Sequence, residues 1–319
     1  MKERNISIDI LKFFAALLIT NSHMELLYPN KIFATGGAIG DALFFFTIGF
    51  VLFLKPMGRF DNWYKKRVNR IYPTVFAWAI LSTLFFDKDD NIVDVILYGG
   101  SWFITCVMIY YVLLYLINRY MINHLYLATM IVIIIVIAWF FLIQRPLNYN
   151  IYGYNYFKWG HYFLYALFGA MIGISKKQFK FQFNYDLIKL ILSTIVFYGI
   201  LMLSQKLQWY PDIQLLSLIP LGIIVFYFYK LANNEIVKHA YNSQILGPIM
   251  KTISGLCLEI YLVQFSLFTD KMNSIFPLNL LIMFIIIIIA AYILRCLARI
   301  FSQTFMEKQF NWKLIFQLY

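Results

Sequence analysis

Charge is what this sequence has least of. Only 13% of its residues are charged, against 62% hydrophobic and 20% aromatic, which excludes a soluble globular domain, where about a quarter of residues are charged. Cysteine is also scarce. Cys106, Cys257 and Cys296 lie in apolar stretches without CxxC or other metal-ligand spacing, so neither a disulfide framework nor a metal site is expected. The first apolar segment has no small-x-small cleavage site, and Asp9 and Lys12 interrupt it. Residues 1–27 therefore read as a first membrane helix rather than a signal peptide. Polar stretches stay below about 20 residues and no repeat of about 20–50 residues recurs. The expected organisation is a single membrane-embedded domain over residues 1–319.

What is present is a series of apolar stretches, each close to the roughly 20 residues that cross a hydrocarbon core. Spans are expected near residues 6–27, 40–55, 71–86, 95–117, 125–143, 161–174, 187–204, 213–230, 252–269 and 278–298. The fold class is all-α, a polytopic integral membrane protein of about ten transmembrane helices. With both termini cytoplasmic, all but six of the 27 Lys and Arg lie on the inner side, the exceptions being Lys31, Lys88, Arg145, Lys158, Lys206 and Lys271. That asymmetry obeys the positive-inside rule. It also accounts for the net charge of +12: the cations line loops beside an anionic leaflet, which makes membrane lipids, and not nucleic acid, the expected partner.

Among the loops, Gln144–Gly160 (QRPLNYNIYGYNYFKWG) carries aromatic rings suited to a water-interface belt or to a rim that stacks on sugar faces. Phe86–Asp94 (FDKDDNIVD) is acidic and solvated. Lys230–Lys251 is a cytoplasmic connector, and the tail after Arg299 is expected to rest on the inner surface as an amphipathic segment.

Chemistry is expected where ionisable residues interrupt apolar helices, because each costs about 2.5–3.5 kcal/mol to insert. Lys12 and His23 share the first helix. At about 100° per residue, their spacing returns the chain to within roughly 20° of one face, about 16 Å further along the axis. His23 can take a proton near neutral pH and so suits a general base acting on a hydroxyl. Asp41, Glu25 and Glu259 are the carboxylates available to orient it. Glu259, in the middle of the ninth span, is the second catalytic candidate. In Lys65-Lys66-Arg67-Val-Asn-Arg70-Ile-Tyr72-Pro73, Arg67 and Arg70 are neighbours on a helix, and paired guanidinium forks match pyrophosphate oxygens. The two lysines read as positive-inside anchors. Gly40 and Gly49, flanking an aromatic run in the second span, suit close helix packing.

Four segments, residues 9–23, 40–50, 59–73 and 253–264, together resemble the acyltransferase-3 family of integral membrane acyltransferases, in an order and spacing that cover nearly the whole chain. The family's basic residue, ten residues and histidine appear as Lys12 and His23, with Lys12 where an arginine is usual. Its Arg-x-x-Arg and following Tyr-Pro appear as Arg67, Arg70, Tyr72 and Pro73. The aromatic second-helix run has Thr47 before Ile48-Gly49, and the Trp-Phe pair is Trp102-Phe103. The late Glu-Ile-Tyr-Leu-x-His motif appears as Glu259 to Gln264, with Gln264 in place of the histidine, so no role of that histidine carries over.

The resemblance implies transfer of an acyl group, usually acetyl, from acetyl-CoA or another acyl-CoA at the cytoplasmic face to a hydroxyl of a cell-surface or lipid-linked glycan. The setting it implies is the bacterial cytoplasmic membrane. It further implies Arg67, Arg70, Tyr72 and Trp102 as donor-binding residues and His23 as general base, with Glu259 or Asp41 orienting it and Lys12 neutralising developing charge. No hydrolase-like extracytoplasmic domain is recognised, so the reaction is expected to finish in the membrane core or with a partner. A homo-oligomer is compatible with the sequence. The competing reading uses the same intramembrane groups in a proton- or ligand-coupled transporter or flippase, although paired broken helices in two related halves are not evident.

Overall fold

Long runs of Ile, Leu and Phe offer the backbone no side-chain hydrogen bonds, and in lipid it must then satisfy its own groups, which favours helices. The computed structural model describes residues 5–86, 102–143, 149–175, 179–207, 210–306 and 310–317, and among these there is no strand. Of the two outer loops read from the sequence, Asp87–Asp94 and Gln144–Asn148 lie outside the described residues. The helices are α1 (Ile6–His23), α2 (Gly37–Phe53), α3 (Phe60–Phe85), α4 (Trp102–Met121), α5 (Leu125–Leu142), α6 (Phe157–Ile174) and α7 (Phe183–Lys206). They continue with α8 (Tyr210–Leu216), α9 (Leu218–Ala232), α10 (Glu235–Asn242), α11 (Leu246–Gly255), α12 (Cys257–Leu267), α13 (Leu278–Met306) and α14 (Trp312–Ile315).

Among the described residues, 6 stretches are long and apolar enough to cross a membrane: Ile6–His23, Lys31–Phe53, Trp102–Leu142, Phe183–Lys206, Asp212–Ala232 and Leu278–Phe305. The bent pair α11 and α12 makes up to 7 if it is one span. The difference from ten has three sources. Trp102–Leu142 joins two expected spans through the 3-10 turn Ile122–His124. In α3 the cluster Lys65, Lys66, Arg67 and Arg70 dilutes the apolar content. Lys158 and His161 do the same at the start of α6.

The chain packs as two compact units. The first comprises Met1–Ala15, Ala38–Met57 and Leu113–Gly247; the second comprises Ala16–Gly37, Gly58–Val112 and Pro248–Tyr319. In the first, α2 and α6 meet backbone to backbone. A Cβ on Gly49 would stand 1.7 Å from the Ala166 carbonyl oxygen, and one on Gly169 2.0 Å from that of Phe46. Rings of Phe46, Phe50, Phe168 and Tyr229 surround the crossing at centroid distances of 5.5–6.1 Å. Further along, the fully buried Asp186 of α7 pairs with Lys230 of α9. Asp9 of α1 accepts from the Tyr241 hydroxyl at 2.7 Å, and Ser7 donates to Asn233 at 2.7 Å.

In the second unit α3 packs on α12 and α13, and α12 packs on α13. The chain turns by 79° between α11 and α12. The tail, expected to rest on the inner surface, is tied to the end of the long helix before it. Helix α13 continues to Met306, and residues 310–317 fold back on it. The Arg299 guanidinium donates to the carbonyls of Leu314, Ile315 and Gln317. Gln303 and Asn311 exchange two hydrogen bonds, at 3.1 and 2.6 Å. A cation near the end of a helix, with carbonyls within reach, makes charge-assisted hydrogen bonds that hold the tail in place.

The α2–α6 crossing gives a direct test. Because the atoms that a Cβ would strike are backbone, Gly49→Ala should destabilise the protein by at least about 1–3 kcal/mol. Gly199→Ala, where nothing lies within 4 Å, should not. Thermal unfolding of both variants in detergent distinguishes them.

Candidate functional site

His23 is the last residue of α1, and the short connection that follows is held by amides. Asn21 donates to the carbonyls of Phe33 and Thr35 at 3.0 and 2.8 Å and accepts from the Tyr28 hydroxyl at 2.6 Å. Asn273 and Asn279 donate to the carbonyls of Leu26 and Leu27 at 2.8 and 2.9 Å. The connection ends at Gly36, whose φ of 104° is a conformation that L side chains rarely adopt. These bonds fix the helix end that presents the imidazole. Its ring lies 4.4 Å from that of Phe265 on α12.

From Phe265 the aromatic contacts run on through Tyr261, at 6.5 Å, to Phe103, at 4.8 Å, and to Trp102, at 5.8 Å. The Trp102-Phe103 pair at the start of α4 is thus connected, ring by ring, to His23. Edge and tilted contacts of this kind are worth about 0.5–1.5 kcal/mol each beyond burial. They hold α12 and the start of α4 in register with the end of α1.

Glu259 has a different partner from the one the sequence suggested. Its carboxylate is 2% exposed and receives both prongs of Arg295 on α13, Nε to Oε1 at 2.5 Å and Nη2 to Oε2 at 2.8 Å. Arg295 Nη2 also donates to the Gly255 carbonyl, the last of α11. One guanidinium therefore bridges both sides of the bend. On α12, Glu259 sits roughly 120° round from Phe265 and 160° from Tyr261. The carboxylate thus faces α13 while the rings face α4 and His23, and in this arrangement Glu259 anchors the helix. The sequence counted Arg295 only as a cytoplasmic cation, although its place inside the apolar run of α13 was the available signal.

Arg67 is half-buried in α3. Its guanidinium carbon lies 5.0 Å from the Trp63 ring centroid and 5.8 Å from that of Tyr111. The two rings meet edge-on at 6.0 Å. Trp63 precedes Arg67 by four residues, a spacing that places both on one helix face. Burial pushes the Arg67 pKa down from its usual value; Tyr111 opposes the shift and the nearby Arg70 reinforces it. Its Nε is buried and has no hydrogen-bond partner among the described residues. A guanidinium held between rings, with a like charge beside it and an unused donor, suits an anion. Arg70 is exposed and Tyr72 half-buried on the same helix.

His23, Arg67, Arg70, Tyr72, Trp102 and Glu259 all belong to the second unit. Lys12 and Asp41 belong to the first. Asp41 is half-buried in α2 and hydrogen-bonded with Tyr162, with Lys158 nearby. Lys12 is half-buried on α1. Glu25, the third carboxylate considered for His23, is exposed. Of the aromatic loop, Ile151 is fully buried and Tyr152 bonds Ser217 at 2.6 Å, whereas Tyr154 and Tyr156 are exposed.

These features define an integral membrane protein that keeps ionisable and hydrogen-bonding side chains within its helices. A profile for an acyltransferase domain, that of the acyltransferase-3 family, matches residues 5–296. The chain belongs to that family and is a membrane acyltransferase. No curated protein and no solved structure matches it.

The Arg295 bridge yields a stability prediction. Arg295→Ala leaves a buried carboxylate uncompensated and should destabilise the protein by about 3–5 kcal/mol. Adding Glu259→Leu should recover part of that loss, as measured by thermal unfolding in detergent; additive losses would show that the pair does not act as a unit.

Proposed function

We propose that the protein transfers an acetyl or other acyl group from acyl-CoA at the cytoplasmic face to a hydroxyl of a cell-surface or lipid-linked glycan, in a bacterial cytoplasmic membrane. The observation that carries this reading is the state of Arg67: a desolvated guanidinium, with an unused Nε donor, next to Arg70 at one end of an apolar helix. Arg67 and Arg70 bind the CoA phosphates, with Tyr72 and Trp102 beside the donor. The pantetheine arm carries the thioester toward His23.

In the chemical step His23 accepts the proton of the acceptor hydroxyl as its oxygen attacks the thioester carbon. The new C–O bond forms, the C–S bond breaks, and the proton passes from the imidazole to the departing CoA thiolate. Thioester and alcohol become ester and thiol, with no other reactant. Holding both reactants in one water-poor site replaces an improbable encounter across the membrane with a local one. Glu259, committed to Arg295, acts by positioning α12. Membrane lipids surround the protein, and no metal is needed.

The test compares purified wild-type protein with two variants in detergent, following acetyl-CoA binding and CoA release. His23→Ala should bind acetyl-CoA normally while turnover falls by about 10²–10⁴-fold. Arg67→Ala with Arg70→Ala should weaken binding by roughly 10²–10⁴-fold, since each of the two charged hydrogen bonds is worth about 1.5–3 kcal/mol. Full turnover in the His23 variant would sink the base, and absence of binding by the wild type would favour a transporter.

A further inference from the structure

Gln264 is fully buried on α12, yet among the described residues neither its Nε2 nor its Oε1 has a hydrogen-bond partner. That condition is costly, because a buried amide loses its water and gains nothing in return. A leucine would fill the place without the penalty. Thr20 on α1 is in the same state: it is fully buried, with a hydroxyl that lacks a partner among the described residues. Many helical hydroxyls in this chain turn back to a carbonyl of the preceding turn, as those of Thr129 and Thr194 do at 2.9 and 2.8 Å. Thr20 does not.

The two unused groups belong to the same unit and flank the same contact. Thr20 lies one turn before His23 on α1, and Gln264 is the residue before Phe265, whose ring is 4.4 Å from that of His23. On the same helix the Glu259 carboxylate is already taken by Arg295, and the Ser266 hydroxyl, on the other side of Phe265, also lacks a partner among the described residues. The amide is therefore a donor left unused one residue from the ring that meets His23.

Given the acyl-transfer function proposed above, we propose that Gln264 binds the acyl carbonyl of the donor thioester, its side-chain N–H donating to the carbonyl oxygen and the Thr20 hydroxyl serving as a second donor. When the acceptor oxygen bonds to the carbonyl carbon, the C=O π electrons move onto the carbonyl oxygen. They return as the C–S bond breaks and the thiolate leaves with the proton from His23. The charge on the oxygen is transient, and fixed neutral donors in a dry site stabilise it without adding a permanent charge to the membrane. The same donors distinguish an acylated from a free CoA before any chemistry occurs.

Affinity for acetyl-CoA and for CoA, measured side by side in detergent together with thermal unfolding, tests the assignment. Wild-type protein should bind acetyl-CoA about fivefold more tightly than CoA, the equivalent of one neutral hydrogen bond. Gln264→Leu should bind both ligands equally, with its thermal midpoint unchanged or raised because an unsatisfied amide has been removed. A preference retained in Gln264→Leu, or a midpoint that falls, would overturn the role of Gln264. Wild-type protein that binds CoA without any preference for the acetyl form would do the same. Failure of the wild type to bind either ligand is a separate result: it removes the CoA donor itself, and this assignment with it.

Discussion

The second unit depends on one guanidinium. Where α11 gives way to α12 the helical ladder is broken, and the carbonyl of Gly255 loses its partner in a medium that supplies no water. Arg295 satisfies that carbonyl and the Glu259 carboxylate with the same planar fork. Break and helix are thus held from α13 by a single side chain. With Glu259 turned toward α13, Tyr261 and Phe265 are turned the other way, toward Phe103 and His23. The surroundings of the histidine therefore follow from an ion pair in which the histidine takes no part.

Polar residues inside this protein fall into two groups. Asp9 with Tyr241, Asp186 with Lys230, Asp41 with Tyr162 and Glu259 with Arg295 are spent on holding helices together. Arg67 Nε, Thr20, Gln264 and Ser266 are buried with donors unused among the described residues. The first group repays the cost of its burial within the fold. The second finds no such return among the described residues. These four groups fall in the unit that also holds His23.

The first unit is built on a different principle. Backbone contact at Gly49 and Gly169 brings α2 and α6 together more closely than side chains would permit, and rings fill the margins. In lipid, close packing replaces the hydrophobic drive that water would supply. Gly49 was legible as a packing residue from its place in the apolar run. Its partner Gly169, a third of the chain away, was not, because small residues carry no sign of which helix they will meet.

Composition alone determined that the chain is helical and membrane-embedded, since a long apolar run has no other way to satisfy its backbone in lipid. His23, Arg67 and Glu259 were also legible as residues with a purpose, because an ionisable group in such a run is expensive wherever it points. What each one faces was decided by tertiary structure. Glu259 and Arg295 are far apart in the chain, as are His23 and Phe265, and local periodicity carries no information about which distant residue will complete a hydrogen bond or a ring contact. Gln264 shows this most sharply: in sequence it was a substitution in a motif, and only packing reveals an amide buried with both of its polar atoms unused among the described residues.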